Sequence, residues 1–357
     1  MAIIIGAPQF WAQQPSPSPA PPVSVPAENA PQAGETAPTA KTPTIRTTVE
    51  LVNVPVTAMT KRGQRVIDLS MDDLKVYEDG VEQKIVHFER ETRTPLHIGL
   101  ILDTSNSARP KLSYEKDAAQ QFVDLLLSTT STKTQIFLET FDASSSIVQD
   151  FTHDPDLLIE KIQGLKSGGG KALYDAIYLA CREKLMKSGP PEEMRRILVV
   201  VSDGLDIQSQ HTLNEVVSMA RTSETMIYTV GTAAYGFSNS GDKILEDLST
   251  ETGGYPSFPL RNPPGTDDES GYLSHQQIGD TSQNKGEGAE TGRYSAERLA
   301  NLVLSLQAIG RDLSEQYWIS YRPLRASLDG TYRTIKVETT RRGVTLRWKP
   351  GYFAGPE

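Results

Sequence analysis

Two short stretches, Asp103-Thr104-Ser105-Asn106-Ser107 and Ser202-Asp203-Gly204 with Asp206 close behind, supply carboxylates and hydroxyls and no soft donor. An oxygen-only set of this kind suits a hard cation such as Mg²⁺, which keeps several waters and takes one or two carboxylates from the protein. Between them in the chain lies Ser167-Gly168-Gly169-Gly170-Lys171-Ala172-Leu173-Tyr174-Asp175, a glycine cluster and a lysine ahead of a helical run. Glycines allow backbone to approach a ligand closely. A phosphate loop would read Gly-x-x-x-x-Gly-Lys-Ser/Thr, but Leu165 stands where its first glycine is required and Ala172 where its metal-binding hydroxyl is required. The stretch fails as a nucleotide loop, and Lys171 needs another role.

Other candidate chemistry is thinner. The histidines at 87, 97, 153, 211 and 275 show no i, i+4 pair and no nucleophile partner, so they read as structural or surface residues. The single cysteine, Cys181, excludes an internal disulfide and a cysteine-rich zinc site. Asp142 reads as a turn residue after a strand, and Tyr174 and Asp175 as the start of a helix. No general base, nucleophile and oxyanion arrangement can be assembled, so an enzyme is not expected.

The elements that must position these residues are legible from hydropathy. Apolar runs LHIGLILD, TQIFLETF, RRILVVVSDG and MIYTVGT alternate with helical patterns YEKDAAQQFVDLLLS, DPDLLIEKIQGLK, KALYDAIYLACREKLMKS, TLNEVVSMARTS and DKILEDLSTETGG. Continuous buried strands separated by amphipathic helices predict a doubly wound, mostly parallel α/β sheet, whose ligand site lies at the carboxyl ends of the strands. Asp103 and Asp203 fall at two such ends.

Flanking segments have strand patterns instead. Alternation and an Asp79-Gly80 turn mark 44–92, and YWISYRP, TYRTIKVETT and GVTLRWKPGYF mark 315–357. Neither set can cover its own apolar face, so together they predict one small β-sandwich with the α/β domain, 95–314, inserted between them. Within that domain a polar, Gly-rich stretch at about 261–294 reads as a disordered insertion, followed by a helix from Ser295. Residues 13–43 are a Pro/Ala/Ser-rich linker, and 1–12 read as the remainder of an export signal. The signal-like first residues make an exported, periplasmic or extracellular location the expectation, and no later apolar run is long enough to span a bilayer. The net charge of -9 among 357 residues argues against nucleic acid as a partner.

The strand ending in DTSNS, the GGxALYDA turn and the strand VVVSDG together resemble a von Willebrand factor A domain and its metal-ion-dependent adhesion site. The flanks, VELVNVPVTAMTKRGQRVIDLSMDDLKVYEDGVEQKIVHF and GYFA, are similar to an exported family related to that domain in acidobacteria. The resemblance implies that Ser105 and Ser107 bind a metal directly, that Asp103 and Asp203 support it, and that a partner's carboxylate completes the octahedron. It also implies a threonine ligand where this chain has Lys171.

An ammonium about 4 Å from a divalent ion is repelled by roughly 8 kcal/mol at an effective dielectric near 20. Three arrangements follow. Lys171 weakens Mg²⁺ binding, or pairs with Asp103 or Asp203 and takes the cation's place, or turns its charge to solvent. The expected function is an exported, non-enzymatic protein-binding module with a modified site, engaging a carboxylate-bearing protein or a second copy of itself. The alternatives are a structural envelope protein with a vestigial site and a metal-assisted hydrolase.

Overall fold

The computed structural model of the protein describes residues 51–90, 94–190, 193–233, 240–259, 288–325 and 329–355, with backbone alone for 288–299. The expected export signal, the linker and most of the expected insertion lie outside them. In chain order the first strands are β1 (Val52–Thr60), β2 (Leu74–Glu78), β3 (Val81–Gln83) and β4 (Ile85–Arg90). The α/β part follows with β5 (Leu96–Asp103), α1 (Leu112–Thr129), β6 (Gln135–Phe141), β7 (Ser145–Thr152), α2 (Pro155–Gly164), α3 (Leu173–Leu179), β8 (Arg195–Ser202), α4 (Leu213–Thr222), β9 (Thr225–Gly231), α5 (Ser240–Thr250), β10 (Pro256–Ser257) and α6 (Gly288–Ser314). The chain returns through β11 (Tyr317–Tyr321), β12 (Tyr332–Thr339), β13 (Val344–Trp348) and β14 (Gly351–Phe353).

The central sheet has the order β10-β9-β8-β5-β6-β7 and is parallel except for β7. Every residue of β8 and β9 is buried, which accounts for their unbroken apolar runs, since helices cover both faces. On one face Leu100, Leu102 and Val199 meet Phe122 and Leu126 of α1 and Leu306 and Ile309 of α6. On the other, Ile101, Phe137, Leu198 and Val200 meet Ile177, Val216 and Leu248. The edge strand β7 was not expected from the sequence. Its residues are half-buried or exposed, and only Ile147, Val148 and Phe151 interrupt a polar stretch.

The flanking strands form two antiparallel sheets, β13-β1-β11-β4 and β14-β12-β2-β3, each drawing strands from both ends of the chain. Val54, Val56, Val76, Ile319, Tyr321 and Val337 make their shared core. This sandwich meets the α/β sheet where its strands begin. Arg195, the first residue of β8, donates to Gln316, and Lys349 pairs with Glu224 just before β9. At the junction Asp312 of α6, 3% exposed, accepts from Arg347, Tyr228 and Arg65.

Two expectations need correction. The last helix begins at Gly288, so 288–294 belong to it and not to an insertion; Ala289, Glu290 and Arg293 are good helix formers that extend the Ser295 pattern backward. The long helix expected over 171–188 is α-helical only to Leu179 and continues as a π-turn over Ala180–Leu185.

Candidate functional site

At β5 the sheet order reverses. From it the chain builds β6 and β7 on one side and β8, β9 and β10 on the other, so the crevice between the carboxyl ends of β5 and β8 is the topological switch point. Asp103 ends β5, Ser202 ends β8, and Asp203 follows it. The third loop, 167–171, is brought to the same rim by backbone bonds. Gly168 N donates to Thr104 O (2.8 Å), Asn106 N to Gly169 O (3.3 Å), and Ile207 N and Gln208 N to Lys171 O (3.0 and 3.1 Å). The glycines permit this packing: a Cβ on Gly170 would fall 1.6 Å from Gln208 Oε1, and Gly169, at φ +73°, lies against Asp142.

Inside the rim the polar atoms are all engaged with one another. Ser105 donates from its amide and its hydroxyl to Asp103 Oδ1 (2.9 and 2.6 Å), and its oxygen lies 3.0 Å from that of Ser107. Ser202 donates to Asp103 Oδ2 (3.1 Å). Lys171 reaches into the centre. Its Nζ donates to both oxygens of Asp203 at 2.7 Å and lies 3.3 Å from Asp103 Oδ2, with the side chain 4% exposed.

A second lysine stands beside it. Lys111 Nζ donates to Thr232 Oγ1 (2.8 Å) and O (3.2 Å), and is 3.7 Å from Asp203 Oδ2. Burial alone would raise the Asp203 carboxyl, but the charge of Lys111 and the hydrogen bonds from Lys171 and the Leu205 amide outweigh it and hold the group below the ordinary aspartate value. Glu115, one turn along α1 from Lys111, is 1% exposed. Burial pushes its carboxyl up to about 8 against the pull of Lys111.

Residues 97–264 match the family model of the von Willebrand factor type A domain. No curated protein matches the chain. Among solved structures, the chain is similar to the vWF domain of the type V pili tip protein Mfa5 from Porphyromonas gingivalis, at 14% identity over 54% of this chain and 99% of that one, with a TM-score of 0.40. It is similar to the conserved hypothetical protein BatB from Bacteroides thetaiotaomicron at 18% identity over 51% and 97%, with a TM-score of 0.36. A third likeness is to proximal thread matrix protein 1 from the mussel byssus with a zinc-occupied MIDAS motif, at 17% identity over 48% and 43%, with a TM-score of 0.39.

The residues at this crevice do not fit a divalent ion. Lys171 Nζ already lies between the two aspartates, and Lys111 adds a second cation, so two carboxylates face two ammonium groups. Among the described residues no group of three or more His, Cys, Asp or Glu side chains is arranged to hold a metal.

Three participants escaped the sequence reading: Lys111, Thr232 and Glu115. Thr232 follows β9 directly, so the strand-end rule that found Asp103 and Asp203 reaches it too. Glu115 shares helical spacing with Leu112, Ala118, Ala119 and Phe122 on the buried face of α1, an acid in an apolar stripe. Nothing in residue type marked Lys111. His211, expected as structural, pairs through Nδ1 with Asp175 (2.7 Å) and stacks on Tyr178. Asp175 also accepts from the Gln210 and His211 amides, which ties the 206–211 loop to α3.

Proposed function

We propose that this protein is an exported, non-enzymatic binding module whose type A domain engages a protein partner through the loops around Asp103, Lys171 and Asp203. In it Lys171 serves as a built-in cation at the position where the resemblance implies a metal ligand. One observation carries the reading: Lys171 Nζ lies 2.7 Å from each Asp203 oxygen and 3.3 Å from Asp103. An ammonium bridging two buried carboxylates meets their need for positive charge, so a divalent ion would have to displace a covalently attached competitor. The acids are then unavailable as metal ligands or as general bases, which supports a binding role over hydrolysis. On this reading Asp103, Ser105, Ser107 and Asp203 are the remains of a metal-ligand set. The composition of the first residues and the resemblance of the flanks to the exported acidobacterial family support export.

Calorimetric titration of the whole chain with Mg²⁺ and Mn²⁺ tests the reading. The wild type should give no saturable heat, whereas Lys171→Thr, which restores a hydroxyl and removes the charge, should bind. Micromolar binding by the wild type that disappears in Asp103→Ala would overturn it.

A further inference from the structure

A second cleft lies at the other end of the central sheet, where β8 and β9 begin and the sandwich meets them. It offers about 370 Å³ of space, part of it open to solvent, and among the described residues its lining sets three cations, Arg195, Arg196 and Lys349, against one acid, Glu224. All three cations are more than nine-tenths buried. Arg195 is braced on Gln316 Oε1 (2.8 Å) and Arg196 on Ser223 O (2.7 Å) and Gly189 O, which fixes both guanidinium groups. The rest of the lining is mostly apolar, with Met194, Met226 and Trp318.

Glu224 is the internal occupant of the cationic end. It follows the C-cap of α4 in the left-handed region, at φ +52°, a position that favours glycine and costs another residue about 1–2 kcal/mol. Strain of this kind persists where the contact it serves matters. Here the side chain places Oε2 on Lys349 Nζ (2.5 Å), joining α4 to the sandwich. A carboxylate on a short tether thus already sits on this lysine, and it shows what the seat accepts. The glutamate side chain keeps 30% exposure against 10% for the lysine, so its way out to water is open while Lys349 stays within the cleft.

We propose that this cleft binds a small organic carboxylate with an apolar body, the carboxylate taking the place of Glu224 on Lys349 and the body resting against Met194, Met226 and Trp318. Charge-assisted hydrogen bonds offset the desolvation of the anion, and burial of the apolar body adds to them. Glu224 is the built-in competitor that the ligand displaces. The site is independent of Lys171 and of the crevice at the opposite strand ends.

The probes are isovalerate, its neutral amide isovaleramide and inorganic phosphate, titrated into the full chain labelled at methionine methyl groups. Saturable shifts of the Met194 and Met226 methyls with isovalerate are expected. The amide, which lacks the charge, and phosphate, which lacks the apolar body, should each bind at least about tenfold more weakly. Glu224→Gly suits the left-handed backbone and removes the competitor, so it should bind isovalerate about tenfold more tightly than wild type, whereas Lys349→Met should lose the shifts. Equal response to acid and amide, phosphate binding as tight as isovalerate, or a Glu224→Gly affinity no better than wild type overturns the proposal. So does the absence of saturable shifts in both wild type and Glu224→Gly, a comparison that decides the matter whether or not Lys349→Met folds.

Discussion

Replacing Lys171 by methionine keeps the length and the apolar stem of the side chain and removes the charge that joins Asp203 to Asp103. Truncating one member of a buried ion cluster costs about 3–5 kcal/mol, because the charges left behind remain shielded from water. Lys111, 3.7 Å from Asp203 Oδ2, still faces one of them. The loss should therefore fall near the lower end, about 3 kcal/mol, a large part of the roughly 5–15 kcal/mol that holds a typical domain together. One of the two aspartates should respond by taking up a proton, its pKa raised by burial and by its neighbour's charge. A carboxyl raised in the folded state adds stability that is complete below its unfolded pKa and is lost as pH rises through its folded value, so the deficit should shrink on going from about pH 8 to about pH 5. Urea unfolding of the full chain at both pH values measures it. In Lys171→Thr, Mg²⁺ at about 100 times its Kd should return roughly 2.7 kcal/mol, while wild type should not respond. A Lys171→Met variant within about 0.5 kcal/mol of wild type at both pH values would refute the argument that this ammonium is the structural cation of the crevice.

Glu115 and Glu139 are both buried with carboxyls pushed up to about 8, so their contribution is complete below the ordinary value of 4.5 and is lost as pH rises through about 8. Each should add a slope of roughly 1.4 kcal/mol per pH unit to unfolding in that window. Denaturation series across it should show the slope reduced in Glu115→Gln and further in the double variant with Glu139→Gln. Gly204 has φ +77°, and a Cβ there would lie 2.1 Å from Gly241 O. Gly204→Ala should cost at least the ~1–3 kcal/mol of a strained left-handed residue, measured as a lowered urea midpoint. Asp312→Ala should cost about 3 kcal/mol, near the lower end for breaking a buried pair, by removing the carboxylate that Arg347 holds at the junction while Arg65 keeps Glu315. Trp318 and Trp348 lie in the sandwich, so in this variant the fluorescence transition should separate from the circular-dichroism transition that follows the whole chain.

The α/β class was legible because β5, β8 and β9 are buried on both faces and so carry apolar runs without alternation, while α1 and α4 show helical spacing. The pairing of N- and C-terminal strands was legible for a different reason: neither set has enough apolar surface partners of its own. β7 was hidden because an edge strand covered on one side by little more than Phe151 needs no strong pattern. Strand ends pointed to Asp103 and Asp203, and the departure at Lys171 was visible as a missing hydroxyl. Its orientation was not. A lysine stem can turn inward or snorkel outward at similar cost, and only the positions of Asp203 and Asp103 around Nζ decide between them.

That orientation has a consequence for how such a module can be controlled. A metal drawn from solution makes binding depend on ion concentration and lets chelation switch it off, because occupancy follows mass action. An ammonium attached through Lys171 is present at a fixed stoichiometry and leaves the crevice only by movement of the loop. The loop is held by the Ala172 amide on Asp142 O and by the Ile207 and Gln208 amides on Lys171 O. Control of the crevice, on this reading, passes from ion supply to the backbone bonds that hold the Lys171 loop in place.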